Sequence, residues 1–208
     1  ALTCSSRTDA GVHALQNYFH MDVAEELPAL RQSIYHLNAI LPGSVVIKQV
    51  LPVEADAHAR FDATARVYEY RIYRNKNPFW EDRAYYYPYA LNFDALQKAA
   101  TILLQVADFE AFSKKNTQVK TFMCKLEESF WRVEDDCFIY RVKGNRFLRG
   151  MVRGLVGTML RVGTGKLDIE AWESIILSKD CRNADFSMPA QGLMLMEVHY
   201  PEKIFRTV

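Results

Sequence analysis

Residues 66–73 read Arg66-Val67-Tyr68-Glu69-Tyr70-Arg71-Ile72-Tyr73. Tyr68, Tyr70 and Ile72 alternate with Glu69 and Arg71, the two-residue period of a strand with one apolar face. Downstream, Phe122 to Val133 and Cys137 to Val142 are two further β-rich runs around Glu134-Asp135-Asp136, which suits a hairpin. Leu193 to Tyr200 is a last strand, stopped by Pro201. Upstream, Leu15 to Val23 alternates loosely and Val45 to Val50 is a short β-rich run. Between these lie helical stretches. Pro28 suits a first turn, and Leu30, Ile34 and Leu37 recur at helical spacing up to Leu41, where Pro42-Gly43 ends the pattern. Asp94 to Gln105, Arg146 to Val162 and Asp168 to Leu177 follow, with Asn92 or Asp94 and then Asp168 as caps. Helices and antiparallel strands segregate. The expected fold is α+β, a mainly antiparallel sheet flanked by helices with a cleft across it. The proline- and aromatic-rich stretch Asn75 to Tyr89 marks the best internal boundary, giving an N-terminal half (1–75) and a C-terminal half (76–208).

Three segments could carry chemistry. The first is Ser5-Ser6-Arg7-Thr8-Asp9-Ala10-Gly11-Val12-His13, where Asp-Ala-Gly suits a tight turn with glycine at positive φ. Its plain reading is a turn whose aspartate caps its own backbone. The second is His58-Ala59-Arg60-Phe61-Asp62-Ala63-Thr64-Ala65-Arg66, a loop whose cationic side chains could meet phosphates or simply be solvated. The third is the helical stretch ending at Val162. At 100° per residue, Phe147, Leu148, Met151, Leu155, Met159 and Val162 form one face. Arg146, Arg149, Gly150, Arg153, Gly154, Gly157 and Arg161 fall opposite. A glycine inside a helix costs about 1 kcal/mol against alanine, and close approach of another backbone or a ligand is the usual reason for it: the arginine row could meet a phosphate or carboxylate, or be solvated with a helix packed over the glycines.

Composition is that of a globular protein: 208 residues, 50% hydrophobic and 25% charged, with net charge +1. That balance does not argue for nucleic acid and does not exclude it, because a balanced total can hide a basic cleft. Cys4, Cys124, Cys137 and Cys181 form no CxxC pair, and the five histidines show no metal spacing. Free thiols in a reducing, cytoplasmic setting are expected, with no metal site and no membrane span. HExxH, P-loop, GxGxxG and GxSxG patterns are absent.

Taken together, the motifs resemble the TruA-type tRNA pseudouridine synthases. Arg7-Thr8-Asp9-Ala10-Gly11-Val12-His13 is similar to that family's signature. His58-Ala59-Arg60-Phe61 with Ala63-Thr64-Ala65-Arg66, then Met151-Val152-Arg153 with Val156-Gly157, then Gln191-Gly192-Leu193, are similar to its later motifs, in the same order. The resemblance implies Asp9 as catalytic carboxylate, Arg153 as its partner and Tyr68 as the active-site tyrosine. It implies Arg7 at the flipped base and Leu193 lining the pocket. His58, Arg60, Phe61, Arg146 and Arg149 would bind substrate. It further implies a homodimer acting without cofactor on uridines at positions 38 to 40 of the tRNA anticodon arm. Ser6 stands where the family often has glycine. The family also carries residues ahead of its signature, with the first strand of the sheet, so the chain is expected to begin inside that unit. A non-catalytic RNA-binding module and a small-molecule enzyme built on Asp9 and Arg153 are the competing readings.

Overall fold

The computed structural model describes residues 1–23, 30–115 and 119–206. The chain runs β1 (Leu2–Cys4), β2 (His13–Ala14), β3 (Phe19–Met21), α1 (Leu30–Ile40), β4 (Ala65–Tyr73), β5 (Tyr85–Tyr86) and α2 (Phe93–Ile102). It continues with β6 (Leu126–Glu134), β7 (Cys137–Gly144), α3 (Met151–Gly163), α4 (Ile169–Leu177) and β8 (Leu193–His199). One sheet orders its strands β2-β8-β4-β7-β6, with β5 paired alongside the far end of β4. The long pairings β4–β7, β4–β8 and β6–β7 are antiparallel, and the two-residue pairings of β2 and β5 are parallel. The expected mainly antiparallel α+β architecture is what the chain adopts.

β4 lies at the centre because its alternation offers something to both faces. Tyr68, Tyr70 and Ile72 join the main core with Leu96 and Ala100 of α2, Leu155 and Met159 of α3, and Trp172 of α4. The Trp172 indole is fully buried and donates to Ala99 O at 3.1 Å, tying α4 to α2. On the other face Glu69 is only 2% exposed, yet three guanidinium groups surround it, from Arg132 (2.9 Å), Arg71 (3.3 Å) and Arg141 (3.4 Å). A buried carboxylate is tolerated only when so paired. The Asp135-Asp136 turn has both residues at positive φ (49° and 60°), the geometry of a two-residue hairpin, so the β6–β7 hairpin forms where expected. Caps at Asn92 and Asp168 accept from Ala95 N and Ala171 N, fixing the starts of α2 and α4.

Three expectations change. Residues 45–50 form no strand, because the Asn38 side chain takes both backbone groups of Ile47 (2.7 and 2.9 Å) and leaves no ladder to build. The run from Leu15 yields only β3, paired with β1, since the Gln16 side chain substitutes for a ladder contact at Val198 N. The third helix starts at Met151 and not at Arg146, because Gly150 sits at φ 76° and caps it in a left-handed conformation. Arg146 and Arg149 therefore lie on the loop that joins β7 to α3. Pro28 lies outside the described residues.

Candidate active site

Asp9 occupies a tight turn. Val12 N donates to Asp9 O at 3.1 Å, and Gly11 takes φ 81°. This is the turn the sequence suggests. The carboxylate does not cap its own backbone, however. Its Oδ2 accepts from Arg153 Nη1 at 3.0 Å, across 144 residues of chain. Arg153 is held in turn by a 2.6 Å bond from its Nε to Met188 O. The Arg153 side chain is 16% exposed and that of Asp9 44%, so the guanidinium is seated in protein and the carboxylate faces solvent. Among the described residues no hydrogen bond occupies Asp9 Oδ1.

The glycine face of α3 explains how Arg153 reaches that place. A β-carbon at Gly157 would stand 2.3 Å from Asp185 O, and one at Gly154 would stand 2.7 Å from the Phe186 ring. The segment 185–188 is thus laid directly on the helix, pinned by Asp185 N donating to Thr158 Oγ1 (3.0 Å). The close approach inferred from the glycines is made by the chain's own backbone. Beyond it, Tyr70 Oη donates to Pro189 O (2.8 Å), and a β-carbon on Gly11 would touch that of Ala190 at 3.4 Å. The Asp9 turn, the 185–190 segment and α3 form a stack with Arg153 threaded through it. Gly157→Ala is therefore expected to destabilise the protein despite the helical preference for alanine. That preference is worth about 1 kcal/mol, whereas overpacking against a backbone oxygen, which cannot swing aside, costs about 2–3 kcal/mol, the upper part of the usual range. The melting temperature should fall by about 2–8 °C, with activity falling further than stability. An unchanged melting curve would show that the segment does not press on the helix.

Tyr68 points into the core side of the sheet at 8% exposure, its ring edge-on to Phe147 (centroids 5.1 Å apart). The β4–β8 register slips beside it, leaving Met196 unpaired, a bulge of the kind that re-aims a side chain. Burial raises the Tyr68 phenol above its ordinary value, opposed by the Ser6 hydroxyl and the Arg66 charge. Tyr68 is thus a neutral phenol near pH 7, able to donate a hydrogen bond.

The loop 58–62 is folded on itself. His58 N donates to Asp62 Oδ2 (2.6 Å), and His58 Nδ1 accepts from Arg60 N and Phe61 N. His20, stacked edge-on at 4.9 Å, accepts from Ala59 N through its own Nδ1. This arrangement pushes Arg60 and Phe61 outward, with Phe61 73% exposed and the Arg60 guanidinium 5.6 Å from its ring. Arg7 and Arg149 are exposed and Arg146 half-buried. Leu193 is buried opposite Tyr70 at the start of β8.

A family model described as tRNA pseudouridine synthase matches residues 99–201. Over 97% of its length the chain is 40% identical to tRNA pseudouridine synthase A of Parabacteroides distasonis, of which it covers 80%. The corresponding protein of Porphyromonas gingivalis is 41% identical, with 97% of this chain and 81% of the relative covered. That of Staphylococcus aureus strain N315 is 35% identical over 95% of this chain and 74% of the relative. The chain belongs to the tRNA pseudouridine synthase A family. For a member of this family, what the residue patterns did not disclose is the support around Asp9 and the second loop: the Met188 carbonyl, the Phe186 ring and His20. The spacing of Gly154 and Gly157 signalled that something approaches, but nothing local says that it is residues 185–188. No helix among the described residues is long and apolar enough to cross a membrane.

Proposed function

We propose that this chain carries the catalytic site of an enzyme that isomerises uridine to pseudouridine in the anticodon arm of tRNA, at positions 38 to 40, with Asp9 as the reacting carboxylate. The observation that carries the reading is the ion pair between solvent-facing Asp9 and seated Arg153, in a chain whose relatives are named for this reaction. The N1–C1′ bond of uridine breaks, the base rotates, and a C5–C1′ bond forms. The C5 hydrogen leaves to solvent and N1 gains a proton. The chemistry needs no cofactor. The target base must first leave its stack, at a cost of a few kcal/mol. Asp9 then attacks either C1′ or the base, its free Oδ1 available for the bond. Arg153 holds Oδ2 and so aims the carboxylate. Tyr68 supplies a ring for the flipped base and an O–H donor, Arg7 attends the base as it turns, and Leu193 closes the pocket behind it.

The substrate would lie in an open cleft across the sheet, with the N-terminal half (1–75) contributing Asp9, Tyr68 and the 58–61 loop and the C-terminal half (76–208) contributing Arg153. His58, Arg60, Phe61, Arg146 and Arg149 would bind the RNA strand. The exposure of Asp9 favours this over a closed small-molecule pocket. Exposed Phe79 and Tyr89 on the loop before α2 offer apolar contact for a homodimer acting in the cytoplasm. The test is tritium release from tRNA labelled at C5 of uridine. Release at the anticodon-arm positions supports the reading, whereas tRNA binding with no release would make the protein a binding module.

Affinity for tRNA is expected to fall as salt rises, because each phosphate contact releases counterions. Arg60→Ala and Arg149→Ala should each weaken binding and flatten the plot of log affinity against log salt by about one contact's worth, a slope change of about 0.7–0.9. Fluorescence anisotropy across a potassium chloride series measures this. A slope unaltered in both variants would remove these arginines from the RNA surface.

A further inference from the structure

Arg66 stands two residues before Tyr68 on β4 and is 8% exposed. Among the described residues its guanidinium meets no carboxylate. It donates instead to five oxygens, through every N–H it has. Nε reaches Ser6 Oγ at 3.4 Å, Nη1 reaches Ala63 O at 3.4 Å and Asn145 O at 3.2 Å, and Nη2 reaches Ser5 O at 3.1 Å and Arg60 O at 2.8 Å. These acceptors belong to three separate segments: residues 5–6 just ahead of Arg7 and Asp9, the loop 60–63, and the start of the loop from β7 to α3.

Packing alone gives no reason for this residue. Burial works against its charge, and a methionine would fill much the same space with nothing to desolvate. What the planar fork supplies is direction. Segments outside a ladder have carbonyl oxygens that need donors, and one rigid group with five donors fixes their mutual positions. Its backbone is fixed within the sheet, since Arg66 is paired on both sides, with Gly144 and Val198.

We propose that Arg66 is a positioning residue: it sets the Asp9 turn, the Arg60–Phe61 loop and the Arg146–Arg149 loop in one register around Tyr68. The proposal rests on the enzyme reading above. Each clamped segment leads within a few residues to groups that reading places on the substrate, so loss of the clamp displaces the carboxylate and the RNA contacts together. A displacement of about 1 Å at a reacting group can cost on the order of 100-fold in rate.

The test uses the intact enzyme with Arg66→Lys and Arg66→Ala, measuring single-turnover tritium release at saturating tRNA per folded molecule. A lysine has one ammonium and cannot span three segments. Arg66→Lys, with three donors for five acceptors, is expected to melt cooperatively several degrees below wild type, yet to react about 10–100-fold more slowly per folded molecule at a temperature well below that transition. In Arg66→Ala, added methylguanidinium, far below denaturing concentrations, is expected to restore part of the rate, while methylammonium at equal concentration does not. Wild-type rate per folded molecule in Arg66→Lys overturns the proposal, as does equal rescue by both amines. Should Arg66→Ala fail to fold, the Arg66→Lys rate decides. Absence of release from the wild-type enzyme would instead sink the enzyme reading, and this proposal with it.

Discussion

Asp9→Asn is expected to abolish tritium release from uridine-labelled tRNA, by on the order of 10³-fold or more, while leaving tRNA affinity within about threefold of wild type. Asparagine matches aspartate in shape, and its amide oxygen can still accept from Arg153 Nη1, so the 3.0 Å contact survives in weaker form. The difference lies in nucleophilicity. A carboxylate can form the covalent bond that the isomerisation requires, and an amide oxygen cannot do so at a comparable rate. Stability should change little, because Asp9 is 44% exposed and an ion pair so open to water is worth about 0–1 kcal/mol. Binding should be unharmed or slightly tighter, since removing an anion from the proposed RNA surface would remove repulsion of phosphates. Substantial turnover by this variant, in a preparation shown free of the host's own enzyme, would take the reacting role away from Asp9.

The sequence disclosed the site in proportion to how local its causes are. The Asp9 turn was legible because glycine at the third turn position is a local demand, met at φ 81°. β4 was legible because its alternation has a single period along its length. The β6–β7 hairpin was legible from two aspartates between β-rich runs. The start of α3 was misread because the wheel assumes an unbroken helix, and a left-handed Gly150 breaks it. Arg146 and Arg149 fall off the arginine face for the same reason, and Gly154 and Gly157 on that face are covered by residues 185–188. The strand expected at 45–50 failed because a single distant side chain, Asn38, satisfied the backbone first. The alternation sets Glu69 on the face opposite Tyr68, and only the cross-strand register shows that three arginines enclose it. Periodicity reports what one segment offers. Which distant group accepts that offer is decided by topology, which no spacing within the segment contains.

Arg153→Met separates the two jobs that an arginine beside a carboxylate could perform. Methionine keeps much of the apolar stem within α3 and deletes both polar contacts, to Asp9 Oδ2 and to Met188 O. If Arg153 aims Asp9, the single-turnover rate at saturating tRNA should fall about 100-fold or more, with dissociation constant and salt slope unchanged. If Arg153 is a phosphate contact, affinity should fall and the salt slope should flatten by about one contact, with the rate at saturation preserved. The geometry favours the first outcome. With 16% of its side chain exposed, one bond spent on a backbone carbonyl and another on Asp9, the guanidinium presents little of itself to a nucleic acid. The unmatched Met188 carbonyl should lower stability by about 1 kcal/mol, a few degrees in melting temperature, so assays belong well below the transition. Arg153→Lys should fall between wild type and Arg153→Met, because one ammonium can serve Asp9 or Met188 O but lacks the fork that orients it between them. A lysine variant equal to wild type would mean that charge near Asp9 suffices and its direction does not matter.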